Sequence, residues 1–247
     1  ADPRLAVITR VDLDHEKILG PDVGTIAGEK AGILKPGATA VFAPQRPEAA
    51  AVLRARAAEL QVRVIEAGDW KPEQIQVERN GSRIRLADPV LVDLWVPLRG
   101  AHQVENAITA AAALHTLAVP APAIEAGVAA TRWPGRLEQL GTDPEILADG
   151  AHNPSGAAAL AGYLQRFYAG RPILLVFGCM TDKDAHTMLA PLAPLADRIV
   201  FTRADYPRSA DPAELRSRFP ELDATVTWSL IEAEPEIRNW RSDGLVV

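Results

Sequence analysis

The stretch Ile146-Leu147-Ala148-Asp149-Gly150-Ala151-His152-Asn153-Pro154 passes from a short apolar run through a polar turn into a segment with helical periodicity, residues 155–167. Further units of the same kind follow, with apolar strands at 173–177, 198–201 and 225–228. Short apolar strands separated by helices predict a parallel sheet buried on both faces. We therefore expect an α/β, doubly wound, Rossmann-like domain over residues 135–247.

The preceding part of the chain shows a similar alternation, followed by a change of pattern. Strand-like runs at 5–9, 38–42 and 62–65 alternate with helical segments. From Gln74 to Leu98 the hydrophobicity has a period of two around the turn Asn80-Gly81, which predicts a small antiparallel insert. An Ala-rich helix and a second short helix complete this part. We expect a domain over residues 1–134 with a mostly parallel sheet and an antiparallel insert, and a linker at Pro134-Gly135.

Composition excludes several classes of protein. The 247 residues are 48% hydrophobic and 23% charged, as in ordinary globular chains, and the net charge of -6 argues against a nucleic-acid partner. A single cysteine, Cys179, cannot form an internal disulfide, and no run of about 20 apolar residues or signal core is present. We expect a cytoplasmic protein with no membrane contact. Both ends run directly into strand-like segments, so we also expect a chain truncated at both ends.

Ligands of doubly wound sheets bind beyond the carboxyl ends of the strands, so the residues that follow each strand are candidates for function. Asp12-Leu13-Asp14-His15 follows the first strand. Two carboxylates and an imidazole suit Mg²⁺, which takes a few protein ligands together with substrate phosphates. The alternative is a helix N-terminus that carries acidic residues to complement the helix dipole.

The next candidate is Lys30, in the segment Glu29-Lys30-Ala31-Gly32-Ile33. Gly24, Gly28 and Gly32 leave one helix face bare, although each glycine costs about 1 kcal/mol relative to alanine. We therefore expect another part of the molecule to approach that face. A partly buried lysine there would have a lowered pKa or be modified. The alternative is an ordinary solvated Glu–Lys pair.

Asn106 lies one turn after His102 in the segment Gly100-Ala101-His102-Gln103-Val104-Glu105-Asn106, so the two side chains share a helix face. An asparagine amide offers both a donor and an acceptor, which the edge of an adenine ring requires. The alternative is a polar cluster of the kind that commonly opens a helix.

Arg136, in the linker, and Asp149 with His152, after the first strand of the second domain, form the strongest candidate group. Arginine suits phosphate oxygens and aspartate suits ribose hydroxyls. A tight turn capped by Asp149 and Asn153 is the structural alternative. A hydrolase dyad is disfavoured because the chain has no Gly-x-Ser-x-Gly elbow. The later loop Asp182-Lys183-Asp184 could contact an anionic substrate, but capping of the next helix is the favoured interpretation.

These segments, in this order, resemble the folylpolyglutamate synthase/dihydrofolate synthase family of the Mur ligase superfamily. The resemblance spans most of the chain. It rests on five groups of residues: Leu13-Asp14-His15 with Glu29-Lys30-Ala31-Gly32-Ile33, His102-Gln103 with Asn106, Pro134-Gly135-Arg136, Asp149-Gly150-Ala151-His152-Asn153-Pro154, and Phe177-Gly178 with Asp182-Lys183-Asp184.

The resemblance implies the distal part of a Mur-ligase-type central ATPase domain followed by the Rossmann-like C-terminal domain. It also implies an ATP-dependent ligase that adds L-glutamate to dihydropteroate or folate through an acyl phosphate, with ATP and Mg²⁺ as cofactors and a monomer as the full-length form. By position, His15 matches a magnesium ligand, and Lys30 matches a carbamylated lysine that helps to organise the metal and the chemistry. Asn106, Arg136 and Asp149 match ATP-binding positions. His152 lies in the same signature, near the nucleotide, and we take it as a catalytic residue.

The sequence also departs from the family pattern. The Gly-rich loop ending in Gly-Lys-Ser or Gly-Lys-Thr has no counterpart, so half of the phosphate site is missing and we expect this chain to be inactive by itself. Two other interpretations remain open: a Mur-type ligase that acts on a peptidoglycan precursor, and a non-catalytic nucleotide-binding module.

Overall fold

The computed structural model describes residues 3–13, 19–20 and 22–247. Contacts divide the chain into two compact units, one ending at Arg132 and one spanning Trp133–Val247. Each unit has its own sheets and its own hydrophobic core.

The first unit begins with a three-stranded parallel sheet in the order β1-β2-β3. Its strands are β1 (Leu5–Ile8), β2 (Thr39–Phe42) and β3 (Arg63–Glu66), and its helices are α1 (Val23–Ala31) and α2 (Pro47–Glu59). Alternating strand residues and the inner faces of both helices make one core, which includes Ile8, Ile26, Phe42 and Leu53. The predicted strand and helix alternation is confirmed here.

The face of α1 that carries Gly24 and Gly28 packs against α2. A Cβ placed on Gly24 or on Gly28 would lie 4.0 Å from a methyl group of Val52 on α2. Another helix therefore approaches this face, as expected, but at Gly28 the distance is an ordinary contact that would also accommodate an alanine. The expectation of a partly buried Lys30 is wrong, because that side chain lies on the exposed part of the same helix, beside the exposed Glu29.

An antiparallel sheet in the order β4-β5-β6 completes the first unit, as the period of two predicts. Its strands are β4 (Pro72–Glu78), β5 (Gly81–Leu86) and β6 (Val92–Val96), and a short 3-10 turn precedes them. Helices α3 (His102–Thr116) and α4 (Ala121–Ala129) bury their apolar faces against this sheet. The polar start of α3 carries Asn106.

The second unit contains a six-stranded sheet in the order β11-β10-β9-β12-β8-β7. All neighbouring strands are parallel except β7, which pairs antiparallel with β8 at the edge. The strands are β7 (Glu138–Thr142), β8 (Glu145–Ala148), β9 (Ile173–Phe177), β10 (Arg198–Phe201), β11 (Ala224–Val226) and β12 (Leu245–Val246). The sequence analysis did not predict β7.

Helices cover both faces of this sheet, as the apolar runs of its strands predict. Phe177 and Leu175 of β9 face the core with α5 (Pro154–Phe167), α6 (Ala185–Leu189) and α7 (Pro212–Ser217). Leu174 of β9 faces the opposite way, toward α8 (Leu230–Arg238). The α/β fold class with a Rossmann-like second part is therefore confirmed. Among the residues described, no helix is both long and apolar enough to span a bilayer.

Candidate functional site

Asp149 joins the end of β8 to the turn that carries Arg136. Its Oδ2 accepts a hydrogen bond from the Leu137 N–H at 2.9 Å, and its Oδ1 accepts one from the Ala151 N–H at 2.9 Å. The Gly150 N–H donates to the Gly135 carbonyl at 2.7 Å. Both carboxylate oxygens are thus oriented by backbone donors, which leaves each oxygen a second lone pair for a ligand.

Arg136 lies in this turn, and its side chain is exposed to solvent. Gly135 adopts a φ of +69°, and its N–H donates to Glu138 Oε2 at 2.8 Å. Leu137 is buried and anchors the turn in the core. Arg136 Nη1 lies 3.9 Å from the position that a Cβ on Gly150 would take. The structure therefore brings the guanidinium close to Gly150, the residue that follows Asp149.

His152 lies two residues further on, and its Nδ1 is 2.8 Å from the Gly150 carbonyl oxygen. Because a carbonyl only accepts, Nδ1 carries a proton in this contact. The neighbouring Asn153 caps α5 by accepting from the Gly156 N–H at 2.8 Å, and Pro154 takes the first helical position. The alternative of a tight turn held by Asp149 and Asn153 is thus confirmed for both residues, since Asp149 accepts from the Ala151 N–H within the turn and Asn153 caps the helix that follows.

Asn106 is exposed near the start of α3 and takes part in a chain of side-chain contacts. Its Nδ2 donates to Gln103 Oε1 at 3.0 Å, and Gln103 Nε2 lies 3.0 Å from His102 Nε2. Gln103 itself is only 6% exposed. His102 and Asn106 are therefore connected through a buried residue to which the sequence analysis assigned no separate role.

Of the metal-site candidates, Asp14 and His15 lie outside the described residues. Asp12 is described, and its carboxylate is engaged by a cation, since Arg46 Nη2 lies 3.1 Å from Oδ1. In the described part of the chain no group of three or more His, Cys, Asp or Glu side chains could hold a metal ion. The described residues thus do not by themselves form a magnesium site.

The loops after β9 and β10 are joined to each other. Arg208 Nη2 lies 2.7 Å from Asp182 Oδ1, and the Thr181 N–H donates to the Arg208 carbonyl at 2.9 Å. The hydrogen bond from Arg208 lowers the pKa of Asp182. Asp184 accepts from two backbone N–H groups at the start of α6, so the favoured capping interpretation is confirmed for this residue. Burial raises the pKa of the half-buried Cys179 thiol, consistent with a packing role.

Two supporting residues were not assigned a role from the sequence. Glu138 closes the turn of Arg136, and the spacing Gly135-x-x-Glu138 is a signal that could have indicated it, because it resembles a capping arrangement. Gln45 ties the loop after β2 to the loop after β1, accepting from the Val11 N–H at 2.9 Å and donating to the Thr9 carbonyl at 3.0 Å. No sequence signal indicates this long-range contact.

Comparison with known proteins identifies the family. A model of the Mur ligase glutamate ligase domain matches residues 135–240. The dihydrofolate synthase/folylpolyglutamate synthase of Mycobacterium tuberculosis is 35% identical over 223 residues, and that of Bacillus subtilis is 32% identical over 219 residues. A structure of the M. tuberculosis folylpolyglutamate synthase complexed with ADP and AMPPCP superposes on 98% of this chain with a TM-score of 0.88 and 31% identity. The chain belongs to the folylpolyglutamate synthase/dihydrofolate synthase family.

The resemblance stated from the sequence motifs is therefore confirmed. An Escherichia coli relative, described as FolC in complex with DHPP and ADP, also shares the fold, with a TM-score of 0.85 over 99% of this chain and 58% of its own. The chain covers 60% of the M. tuberculosis structure. The regions matched to the M. tuberculosis and B. subtilis sequences span 84% and 85% of this chain. They span only 46% and 51% of those two sequences. This member of the folylpolyglutamate synthase/dihydrofolate synthase family thus spans about half the length of the curated relatives it matches.

Proposed function

We propose that this chain is part of an ATP-dependent ligase that joins L-glutamate to dihydropteroate, to folate or to a folate polyglutamate tail. The observation that carries the proposal is the fold shared over nearly the whole chain with a folylpolyglutamate synthase that binds ADP and AMPPCP. A carboxylate oxygen of the acceptor attacks the γ-phosphorus of ATP, and ADP leaves. The glutamate nitrogen then attacks the acyl carbon, loses a proton, and displaces orthophosphate.

Arg136 and Asp149 bind the nucleotide in this proposal. The Arg136 guanidinium is exposed and therefore accessible to phosphate oxygens, which its planar donor fork suits. The Asp149 carboxylate is held by the Leu137 and Ala151 N–H groups, so it offers its remaining lone pairs in a fixed direction to ribose hydroxyls. Such preorganisation reduces the entropy that binding costs.

Asn106 contacts the adenine ring in this proposal. Its side chain is exposed, and one amide hydrogen is used by Gln103. The oxygen and the other amide hydrogen can pair with the amino group and an adjacent ring nitrogen of adenine.

His152 acts on the proton of the incoming amine. With its proton on Nδ1, directed at the Gly150 carbonyl, a neutral imidazole has its basic lone pair on Nε2. An imidazole with that tautomer can accept the proton that the glutamate nitrogen loses as it attacks.

Lys30 and His15 hold magnesium in this proposal, with Lys30 in its carbamylated form. The exposed Lys30 amine is accessible to carbon dioxide, and a carbamate would replace a cation by the oxygen anion that magnesium prefers. The described residues alone do not make a metal site, so no step is assigned to the ion. We further propose that the full-length protein is a cytoplasmic monomer.

The test is incorporation of labelled glutamate into dihydropteroate and into folate in the presence of ATP, measured for this chain and for any longer reading frame that contains it. Arg136→Ala should abolish incorporation, while Arg132→Ala, a neighbouring exposed arginine, serves as a control. Incorporation into a peptidoglycan precursor instead of either pterin would overturn the proposal, and so would failure of the longer protein to incorporate glutamate at all.

A further inference from the structure

Three polar side chains at the start of α3 form a relay of defined direction. Gln103 Nε2 lies 3.0 Å from His102 Nε2, and Gln103 Oε1 accepts from Asn106 Nδ2 at 3.0 Å. Gln103 is 6% exposed, so its amide cannot turn to water without leaving the core. Asn106, at the outer end, is exposed.

The chemistry of each atom sets the direction of the relay. The Nε2 of a glutamine only donates, so the His102 Nε2 that faces it must be the unprotonated, accepting nitrogen of the ring. The Oε1 of the same glutamine only accepts, so Asn106 must present its Nδ2 and not its Oδ1. An inversion at any one of the three side chains would bring donor against donor or acceptor against acceptor, and only a simultaneous inversion of all three would keep both hydrogen bonds.

We propose that Gln103 and His102 are positioning residues that set the orientation of the Asn106 amide and thereby make the nucleotide site select a 6-amino purine over a 6-oxo purine. This inference rests on the proposed role of Asn106 in binding the base. Because Asn106 Nδ2 donates to Gln103 Oε1, the other atom of the amide, Asn106 Oδ1, can accept a hydrogen bond from the exocyclic amino group of a base. Among the residues that the structure describes, none donates to that oxygen.

An inverted Asn106 would place an N–H group where Oδ1 now lies. That group would donate to the carbonyl of a 6-oxo purine such as inosine and would face the amino group of adenine donor to donor. The orientation of one exposed amide therefore decides which base is accepted, and the buried Gln103, paired with the accepting Nε2 of His102, holds that orientation.

The backbone keeps Gln103 in its place. Gly100, with a φ of +98°, precedes the helix, and the Gln103 N–H donates to the Gly100 carbonyl at 3.1 Å. Six residues after Gln103 on α3, Thr109 is also buried, and its Oγ1 donates to the Glu105 carbonyl at 2.8 Å. Thr109 thus provides a matched control, since it is a buried polar residue of the same helix whose hydroxyl bonds to the Glu105 carbonyl and not to the relay.

The experiment measures the dissociation constants of ATP and inosine triphosphate for the native chain and for Gln103→Met, Gln103→Glu and Thr109→Val. The native chain should bind ATP about tenfold more tightly than inosine triphosphate, because an amide that makes two hydrogen bonds to the edge of a base discriminates by about that factor. Gln103→Met, which fills the same space without hydrogen bonds, should reduce that preference to within about twofold. Gln103→Glu still offers an acceptor to Asn106 Nδ2 and should retain the preference, as should Thr109→Val.

A second measurement needs no nucleotide. Nitrogen-15 NMR of the native chain should show a neutral His102 with the proton on Nδ1. In Gln103→Glu, a proton should be found on Nε2, because a carboxylate accepts and does not donate.

The outcomes separate this inference from the proposed function. An ATP preference unchanged in Gln103→Met, or a native His102 protonated on Nε2, would overturn the relay even if nucleotides bind. Failure of either nucleotide to bind would instead contradict the base-binding role of Asn106 on which the relay depends, with the NMR result still deciding the geometry.

Discussion

Arg171 Nη1 lies 2.6 Å from Glu145 Oε2, and the Glu145 side chain is only 8% exposed. The Tyr168 hydroxyl donates to the other carboxylate oxygen at 2.8 Å. The same guanidinium donates to the carbonyls of Asp243 and Gly244. One arginine therefore joins the start of β8 to the segment that leads into β12, which lies between β8 and β9 in the sheet.

Arg171→Met should strongly destabilise the second unit, because it leaves the Glu145 carboxylate buried without its cation. We expect a loss of about 2–4 kcal/mol in the free energy of unfolding, below the full value for a buried pair because Arg171 is 31% exposed. Urea denaturation measures this loss. Tyr168→Phe should cost about 1 kcal/mol, and the double variant Glu145→Leu with Arg171→Met should recover most of the stability. A single Arg171→Met variant as stable as the native chain would contradict this account.

Gly178→Ala should destabilise the protein, because a Cβ at this position would lie 2.6 Å from the Thr202 carbonyl oxygen. Backbone atoms cannot move aside cheaply, so we expect a loss of about 1–3 kcal/mol. Gly28→Ala is the matched control: its Cβ would lie 4.0 Å from Val52, an ordinary contact, and alanine in a helix is favoured by about 1 kcal/mol. Thermal unfolding should move in opposite directions for the two variants, and a shift of both in the same direction would show that the contacts differ from those described.

Asp149→Asn should weaken both the turn of Arg136 and nucleotide binding. An asparagine is neutral and has one acceptor atom in place of two, so both N–H groups lose a charged acceptor and either the Leu137 or the Ala151 N–H loses its acceptor altogether, at about 1.5–3 kcal/mol. Asn153→Ala removes only the cap of α5 and should cost about 1 kcal/mol without loss of ATP affinity. Isothermal titration with ATP, combined with unfolding curves, distinguishes the two effects. Equal ATP affinities of the native chain and Asp149→Asn would remove Asp149 from the proposed site.

Lys30→Ala should abolish the glutamate incorporation of the proposed ligase without lowering stability, because the side chain is exposed on α1. If the functional form is a carbamate, added acetate or propionate should partly restore activity by supplying an oxygen ligand. Lys35→Ala is the control, since Lys35 is also exposed and only donates to the Gly32 carbonyl at 3.3 Å. Full activity of Lys30→Ala would contradict the assignment, and a loss that carboxylates do not restore would contradict the carbamate.

The contact between Asp182 and Arg208 should weaken in acid. The hydrogen bond from Arg208 holds the pKa of Asp182 below its usual range. The folded pKa is thus below the unfolded one, so the stabilisation is present above the unfolded pKa of about 3.9 and is lost as the pH falls through the folded pKa. Carbon-13 NMR of the Asp182 carboxyl group measures this, and Arg208→Leu should return its pKa toward the ordinary value. No change in Arg208→Leu would show that another group lowers the pKa.

Some features were predictable because they depend on residues close together in the chain. The apolar runs that became β1, β2, β9 and β10 have boundaries within about one or two residues of those observed, since buried parallel strands are continuous stretches of apolar side chains. The strand β7 was missed because Glu138, Gln139 and Thr142 are polar or exposed, and only pairing with β8 makes the segment a strand. The burial of Lys30 was predicted wrongly because the glycine-bearing face of α1 packs against Val52 of α2, whereas Lys30 lies on the exposed part of the helix.

The amino-acid sequence by itself determined most of the strand and helix order, the α/β class and the family, because hydrophobic periodicity and ordered motifs are properties of neighbouring residues in the chain. Only the tertiary structure decided that the Leu137 N–H donates to Asp149, twelve residues away, and that Gln103 is buried and connects His102 with Asn106. It also decided that Arg46 forms an ion pair with the carboxylate of Asp12. Such contacts depend on the direction of individual donors and acceptors, and these directions are set only when distant segments pack together.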